Sequence, residues 1–398
     1  MKIAVPKESA AGEQRVALVP SNVAQLVADS HEIQIEAGAG EAAGYSDIEY
    51  EEAGAASVVE RTDLLSQADL IVQVRGLGAN EDAGRADLEH LRAGQTVLGL
   101  QEPLWAPELT QEVAAKGVTV MALETIPRIS RAQSMDVLSS MATLAGYKAV
   151  LLAAIRLPQM FPMMMTAAGT VRAARVFVLG AGVAGLQAIA TARRLGAVVE
   201  GYDIRPAASE QIESLGAKAV QLPVESEGAE DAGGYATAQG EDFNRRQREF
   251  LTEVLADKDV VITTAAIPGR QSPLLLETSM VDGMKPGSVI VDLAAERGGN
   301  CELTQADQEV QHGGVLVLGP TDLPSSVSRH ASQMFSNNVT TLLKHLCDEG
   351  SFQFDVSDEI TRDVVVAKDG EILHPMMREK LGLPETTTKA ETAEAAEA

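Results

Sequence analysis

The chain has 398 residues, 45% hydrophobic, 22% charged and only 3% aromatic, enough for two or three domains whose cores rest on Ala, Val, Leu, Ile and Met. Its formal net charge of -25 argues against nucleic acid, which needs clustered Lys and Arg, and leaves any anionic ligand to helix N-termini and a few placed arginines. Two cysteines, Cys301 and Cys347, make no disulfide framework, and the histidines show no metal-ligand spacing, so a reducing compartment and no metal are expected.

Short β-rich runs alternate with helical patterns from the start. KIAVP reads as a strand and SNVAQLVADS as a helix opened by Ser21, with Val23, Leu26 and Val27 on one face. IQIE, DLIVQV, TVLGLQ and GVTVMAL are further strands. Between them RADLEHLRAG and PELTQEVAAKG read as helices, each closed by a glycine. Repeated βα units imply a parallel sheet with right-handed crossovers.

From Met135 the pattern changes. MDVLSSMATLAGYKAVLLAAIRLP places Leu138, Met141, Leu144, Ala145, Leu151, Leu152 and Ile155 at helical spacing, and Pro158 ends this long linking helix. Its most apolar stretch, from Ala149 to Ile155, lies between Lys148 and Arg156. That falls far short of the roughly 20 residues of a membrane span, and the N-terminus lacks an apolar signal core, so a soluble chain is expected. Met163, Met164 and Met165 fit core filler, the commoner role of Met.

A second α/β series follows in RVFVLG, AVVEGYD, DVVITTA, GSVIVDLA and GVLVLG, and after Gly319 the chain turns helical in SQMFSNNVTTLLKHL, expected to pack back on the first domain. The fold expected is α/β, two Rossmann-like doubly wound parallel-sheet domains joined by long helices. Residues 1–136 plus 325–380 would form one domain and 137–324 the other, with an acidic disordered tail over 381–398.

RVFVL runs into Gly180-Ala181-Gly182-Val183-Ala184-Gly185 and then the helix LQAIATARRLGA. A GxGxxG alone is weak; between a buried-type strand and a helix it has the context its mechanism requires. Gly180 permits the tight turn, Gly182 lets backbone approach a pyrophosphate, and Gly185 allows close helix–strand packing. The phosphates then meet free N–H groups at a helix N-terminus. The next strand ends in Asp203, about 20 residues on, where a carboxylate bonds the adenosine ribose hydroxyls and repels a 2′-phosphate. It selects NAD over NADP, a choice that Arg205 softens.

Several longer words carry a resemblance. VPKESAAGEQRVALVP resembles the opening signature of the alanine dehydrogenase and transhydrogenase superfamily. ETIPRISRAQSMDVLSSMATLAGYKAV, FPMMMTAAGTV, GAGVAGLQAIATARRLGAVVEGYDIR, GGYA and MKPGSVIVDLAAERGGNCE resemble its transhydrogenase branch, over nearly the whole chain to His374. The resemblance implies that Arg128 steers anionic NAD(H), that Asp136 and Ser139 hold the nicotinamide carboxamide, and that Gln133 reaches toward a second nucleotide. Arg128, Gln133 and Asp136 would thus serve the reaction. Read without the resemblance, the segment is a polar loop with a capping Asp. Val183, Ala184, Ile204, Arg205 and Ala265 complete the expected NAD(H) contacts, with Tyr235 closing over them from a mobile loop, ESEGAEDAGGYATAQGED, whose blander reading is an acidic surface insertion.

What the resemblance implies is a homodimeric, NAD(H)-binding extrinsic subunit of a proton-translocating transhydrogenase. It would pass hydride to NADP(H) held by the NADP(H)-binding domain of a beta subunit. The place expected is cytoplasmic, peripheral to the inner membrane through a membrane-spanning subunit.

Two alternatives stay open. Alanine dehydrogenase shares the superfamily signature and needs cationic substrate ligands and a general acid/base; Arg15 and Arg75 fall where such cations are expected. Yet TVLGLQEPL has no histidine where that enzyme keeps its imidazole, and Glu296 stands where an Asp is usual. A non-catalytic NAD sensor has no need of Arg128, Gln133 and Asp136. In one departure from the branch, LPSSVSRHAS has Ser326 where an Arg is frequent, with Arg329 nearby as a substitute.

Overall fold

The computed structural model describes residues 1–222, 240–348 and 350–384. The chain divides into two units, Met1–Ser140 with Ser325–Ala398, and Met141–Pro324. Each holds a mainly parallel sheet, as the alternating pattern of short strands and helices predicts.

The first unit opens with β1 (Lys2–Val5), α1 (Pro20–Ala28), β2 (Glu32–Glu36), α2 (Asp47–Glu52), β3 (Ala56–Val58), α3 (Arg61–Gln67), β4 (Leu70–Arg75), α4 (Glu81–Leu88), β5 (Thr96–Leu100), α5 (Pro107–Ala114) and β6 (Thr119–Ala122). The six strands lie parallel in the order β6-β5-β4-β1-β2-β3. Leu70, Ile71, Val72 and Val74 of β4 are fully buried, the continuous apolar run of a strand covered on both faces. Ser21 does not open α1: Val19 takes the capping position without a side-chain bond, and Pro20 occupies the first turn, where its missing N–H costs nothing.

The second unit is entered through α6 (Val137–Arg156). There follow β7 (Met164–Thr166), β8 (Gly169–Val171), β9 (Arg175–Leu179), α7 (Val183–Arg194), β10 (Val198–Tyr202), α8 (Ala208–Ser214), β11 (Lys218–Ala219), α9 (Glu241–Leu255), β12 (Val260–Thr263), α10 (Thr278–Asp282), β13 (Val289–Asp292), β14 (Glu309–His312) and β15 (Val315–Leu318). The sheet order β11-β10-β9-β12-β13-β15-β14 is parallel except for the edge strand β14. The five strands expected from the sequence are β9, β10, β12, β13 and β15.

The long helix expected from the spacing is present as α6; Val137, Met141, Ala149, Val150 and Ala153 of it are buried, whereas Ile155 is 79% exposed. Small residues let the helix come close: a Cβ at Gly146 would stand 2.1 Å from the Ala184 carbonyl oxygen. One expectation about apolar residues fails, because the methionines are not core filler. Met164 and Met165 lie on β7 of an isolated two-stranded hairpin with β8, and Met163, Met164, Met165 and Val171 are all exposed. Among the described helices α6 is the one long and apolar enough, by length and composition only, to cross a membrane.

From residue 325 the chain is again in the first unit, with α11 (Ser328–Leu346), the β16 (Cys347–Asp348)–β17 (Ser351–Phe352) pair, α12 (Glu359–Val364), β18 (Val365–Lys368), β19 (Glu371–Ile372) and α13 (Pro375–Lys380). β18 pairs antiparallel with β6 and β19 with β18, extending the first sheet to eight strands. Fully buried Ser332 and Ser336 of α11 accept hydrogen bonds from the Val16 and Val19 N–H groups at 3.0 Å, satisfying backbone that has left the sheet. Leu381 and Leu383 pack on the first core; the rest of the expected acidic tail, from residue 385, lies outside the described residues.

Candidate functional site

In the second unit the strands on either side of β9 are reached in opposite directions, β10 one way and β12 the other. The ends of β9 and β12 therefore frame the crevice in which open α/β sheets bind ligands. The glycine turn lies there, between β9 and α7.

Each glycine has its own reason. Gly180 adopts φ +101, a left-handed conformation suited to glycine, and a Cβ there would meet Thr264 Oγ1 at 2.4 Å. A Cβ at Gly185 would stand 1.8 Å from the Gly180 carbonyl oxygen, so helix and strand could not close. At Gly182 a Cβ would meet nothing within 4 Å, and φ is an ordinary -74. No described group of the chain demands glycine at 182, and the space over it is open. The exposed Gly182 and Val183 precede the buried Gly185 at the start of α7, and Ala184 is half-buried. N–H groups at that helix start favour an anion.

Asp203 follows β10. Its Oδ2 accepts the Ala181 N–H of the glycine turn at 2.7 Å, and its Oδ1 accepts the Arg205 backbone N–H at 2.9 Å. The Arg205 guanidinium lies on both oxygens, Nε to Oδ1 at 2.9 Å and Nη2 to Oδ2 at 3.0 Å. The acid and the cation singled out by sequence thus form one pair, with half-buried Ile204 between them in the chain. Tyr235 and the rest of its loop, residues 223–239, lie outside the described residues.

Across the crevice Thr264 donates its backbone N–H to the Leu179 carbonyl at 2.9 Å and its hydroxyl to the Gly180 carbonyl at 3.1 Å. Ala265 comes next. Its N–H donates to Asn300 Oδ1 at 3.0 Å, and its carbonyl accepts from Asn300 Nδ2 at 2.8 Å. Sequence reasoning missed Asn300 and its neighbour Asp292 entirely; both are fully buried.

In the first unit the segment after β6 carries the other expected residues. Buried Ile126, Ala132 and Met135 anchor it, while Arg128 and Gln133 are exposed. The short 3-10 helix Ser130–Met135 that bears Gln133 is tied to α11 by Asn338, whose Nδ2 donates to the Ser134 carbonyl at 2.7 Å. Arg131 bonds Asp358 at 2.6 Å, and His345 bonds the same carboxylate at 2.8 Å. Burial alone would raise the Asp358 carboxyl, but these bonds and the Thr361 N–H hold it well below the usual range.

Asp136 sits just ahead of α6. It accepts the Ser139 N–H at 2.9 Å on one oxygen and the Ser139 hydroxyl at 2.6 Å on the other. This is a helix N-cap, and it presents a carboxylate and a hydroxyl as one polar group.

The features weighed for alanine dehydrogenase form a separate cluster in this unit. The Arg15 guanidinium is bonded twice by Glu13, at 2.7 and 2.6 Å, and Arg75 Nε reaches the same carboxylate at 3.1 Å. Glu8, beside them, accepts the Val74 and Arg75 N–H groups, yet burial pushes its pKa up to about 7. Both arginines are thus already engaged by an internal carboxylate. Ser326 is exposed, and Arg329 lies over the Tyr45 ring, 4.5 Å from its centroid, while bonding the Gly44 carbonyl. In the second unit Glu296 is exposed in a single 3-10 turn. Among the described residues no cluster of His, Cys, Asp and Glu could hold a metal ion.

Known proteins resemble the chain along most of its length. Residues 4–145 match the family described as alanine dehydrogenase/PNT, N-terminal domain, and residues 149–375 match its C-terminal domain. The chain is 45% identical over 381 residues to NAD(P) transhydrogenase subunit alpha of Cereibacter sphaeroides, covering 94% of this chain and 71% of that protein. It is 30% identical over 390 residues to alanine dehydrogenase of Halomonas elongata, covering 96% and 97%. The crystal structure of transhydrogenase from Sinorhizobium meliloti is similar with a TM-score of 0.81 at 40% identity, covering 94% of this chain and 99% of that one.

Proposed function

The chain belongs to the alanine dehydrogenase/PNT family, and within it we propose that it is the NAD(H)-binding subunit of an NAD(P) transhydrogenase. It passes hydride directly between NAD(H) bound here and NADP(H) bound by a partner polypeptide. The observation that carries the nucleotide is Gly182, a glycine that no described protein contact requires, at a helix start between Gly180 and Gly185. The stronger likeness to a transhydrogenase alpha subunit than to an alanine dehydrogenase, 45% against 30% identity, favours this member of the family.

The glycine turn would hold the pyrophosphate, Asp203 with Arg205 the adenosine ribose, Ile204 and Ala265 the flanks of the crevice, and Tyr235 the lid. When bound, NAD(H) supplies or takes up the hydride, and no proton moves at the reacting carbons. The chain's own residues therefore need no general acid or base. Their work is to orient two rings at about 3–3.5 Å and exclude water. In this reading exposed Arg128 steers the anionic nucleotide, the Asp136–Ser139 pair receives a carboxamide, and exposed Gln133 reaches the second nucleotide. The 1–136 plus 325–380 and 137–324 segments act as its two domains.

The partners that follow are an NADP(H)-binding domain of a beta subunit and a membrane-spanning subunit, which would carry the proton pathway and place this chain at the cytoplasmic face of the inner membrane. A homodimer fits the exposed methionine hairpin, whose apolar side chains are costly to leave in water.

The test mixes the purified chain with an NADP(H)-binding transhydrogenase domain, NADH and an acetylpyridine analogue of NAD. Cyclic hydride exchange between the two NAD forms is expected. NADH oxidation only with pyruvate and ammonia would make the chain an alanine dehydrogenase, and tight NADH binding with neither activity would make it a sensor.

A further inference from the structure

Asp203 at the end of β10 and the glycine turn after β9 take the adenosine and pyrophosphate half of a dinucleotide. The other half must then run toward the ends of β12 and β13, on the opposite side of the switch in strand direction. Ala265 follows β12 at that point, one residue past the last group bonded to the glycine turn.

The regular ladder of β12 has ended there, and a side chain replaces it. The Asn300 amide both accepts from the Ala265 N–H and donates to the Ala265 carbonyl, at 3.0 and 2.8 Å, the two-bond pairing that a neighbouring strand would make. Its second amide hydrogen bonds the Pro273 carbonyl at 2.9 Å. Its own carbonyl accepts the Leu275 and Leu276 N–H groups at 2.8 and 2.9 Å. One residue thus locks three segments.

Asn300 is itself held from below. Asp292 Oδ2 accepts the Asn300 N–H at 2.7 Å, the Cys301 N–H at 3.0 Å and the Thr304 hydroxyl at 2.6 Å. Asp292 Oδ1 accepts the Thr263 hydroxyl at 2.9 Å and the Ala294 N–H at 3.0 Å. Five donors around a fully buried carboxylate satisfy both of its oxygens. Cys301 beside it is inert, its thiol pushed up to about 11 by burial.

A buried network this complete is a rigid support. Among what it supports is half-exposed Ala265 at the lip of the crevice, on the nicotinamide side. We propose that Asn300 is a positioning residue for the nicotinamide half of the bound dinucleotide, acting through the backbone of Ala265, with Asp292 fixing Asn300; this rests on the NAD(H) reading above.

The experiment titrates the full chain and Asn300→Ala by calorimetry with two probes, NADH and ADP, the second carrying only the adenosine and pyrophosphate half. NADH affinity should fall about tenfold, which is about 1.4 kcal/mol, while ADP affinity stays within about twofold. Equal losses for both probes, or unchanged NADH affinity, overturn the proposal. Should Asn300→Ala not fold, Thr304→Val removes one bond to Asp292 with little change of shape. It should weaken NADH about threefold and ADP not at all, and an unchanged NADH affinity there overturns the proposal equally. An unaltered chain that binds neither probe sinks the NAD(H) reading itself, a result distinct from either variant's.

Discussion

The loop after β1 and the loop after β9 occupy equivalent places, each at the carboxyl end of a central strand beside the point where strand order reverses. After β9 the chain supplies three glycines, a helix N-terminus and open space over Gly182. After β1 it supplies Glu8, Glu13 and Arg15, which fill the place with buried charge bonded to Val74, Arg75 and one another. One strand end is a cradle and the other a plug. The shared architecture allows a crevice in both, and a handful of side chains decides which is kept; that is why fold alone specifies no reaction.

The largest effect expected is on the filled site. Glu13→Ala leaves two guanidiniums without the carboxylate they share, one of them only 2% exposed. It should cost about 3–5 kcal/mol, read as faster hydrogen exchange across β1 and β4, with NADH affinity unchanged. An equal loss of NADH affinity would break the contrast between the two strand ends. Next comes Gly182→Val at the open site, where an added Cβ meets nothing within 4 Å. Thermal stability should hold while NADH binding weakens about a hundredfold, about 2.7 kcal/mol; a large drop in melting temperature would mean that the space over Gly182 is not free.

Gln133→Asn sharpens the comparison from the first unit's side. Shortening this exposed side chain should slow hydride exchange about tenfold with NADH affinity nearly intact; matching losses would contradict its role at the second nucleotide. The smallest effect belongs to Glu124, also at a strand end of the first unit. Burial and then repulsion from Glu102 push its pKa up to about 8 from 4.5. The folded state therefore prefers the protonated form, and its contribution is full below pH 4.5 and lost as pH rises through 8. Glu124→Gln keeps the acceptor for the Glu102 N–H, bonded at 2.7 Å, and removes that loss. Its melting temperature should fall less than the parent's between pH 5 and 9, and parallel curves would show that Glu124 does not titrate there.

Features written locally were legible in the sequence. The glycine turn, Asp203 and the five principal strands of the second sheet each lie within a few consecutive residues, and the structure puts them together. Burial was less legible where residue type misleads. Nothing in the sequence marks the acids Glu8, Glu13 and Glu124 as enclosed, while three consecutive methionines read as core and are exposed. Asn300 could not be found at all, since it acts on Ala265 from 35 residues away. The short strands β14, β18 and β19 were missed because two to four residues at a sheet edge carry too little period to register.

The second unit, Met141–Pro324, is an insertion within the first, and this sets an order of events at the ribosome. Its strands are complete once residue 318 has emerged. The segment after β1, by contrast, waits for serines 316 and 317 positions later, Ser332 and Ser336, before Val16 and Val19 find their partners. A nascent chain stalled with residue 320 just clear of the exit tunnel should thus carry a protease-resistant second unit while its N-terminal half is still open to cleavage.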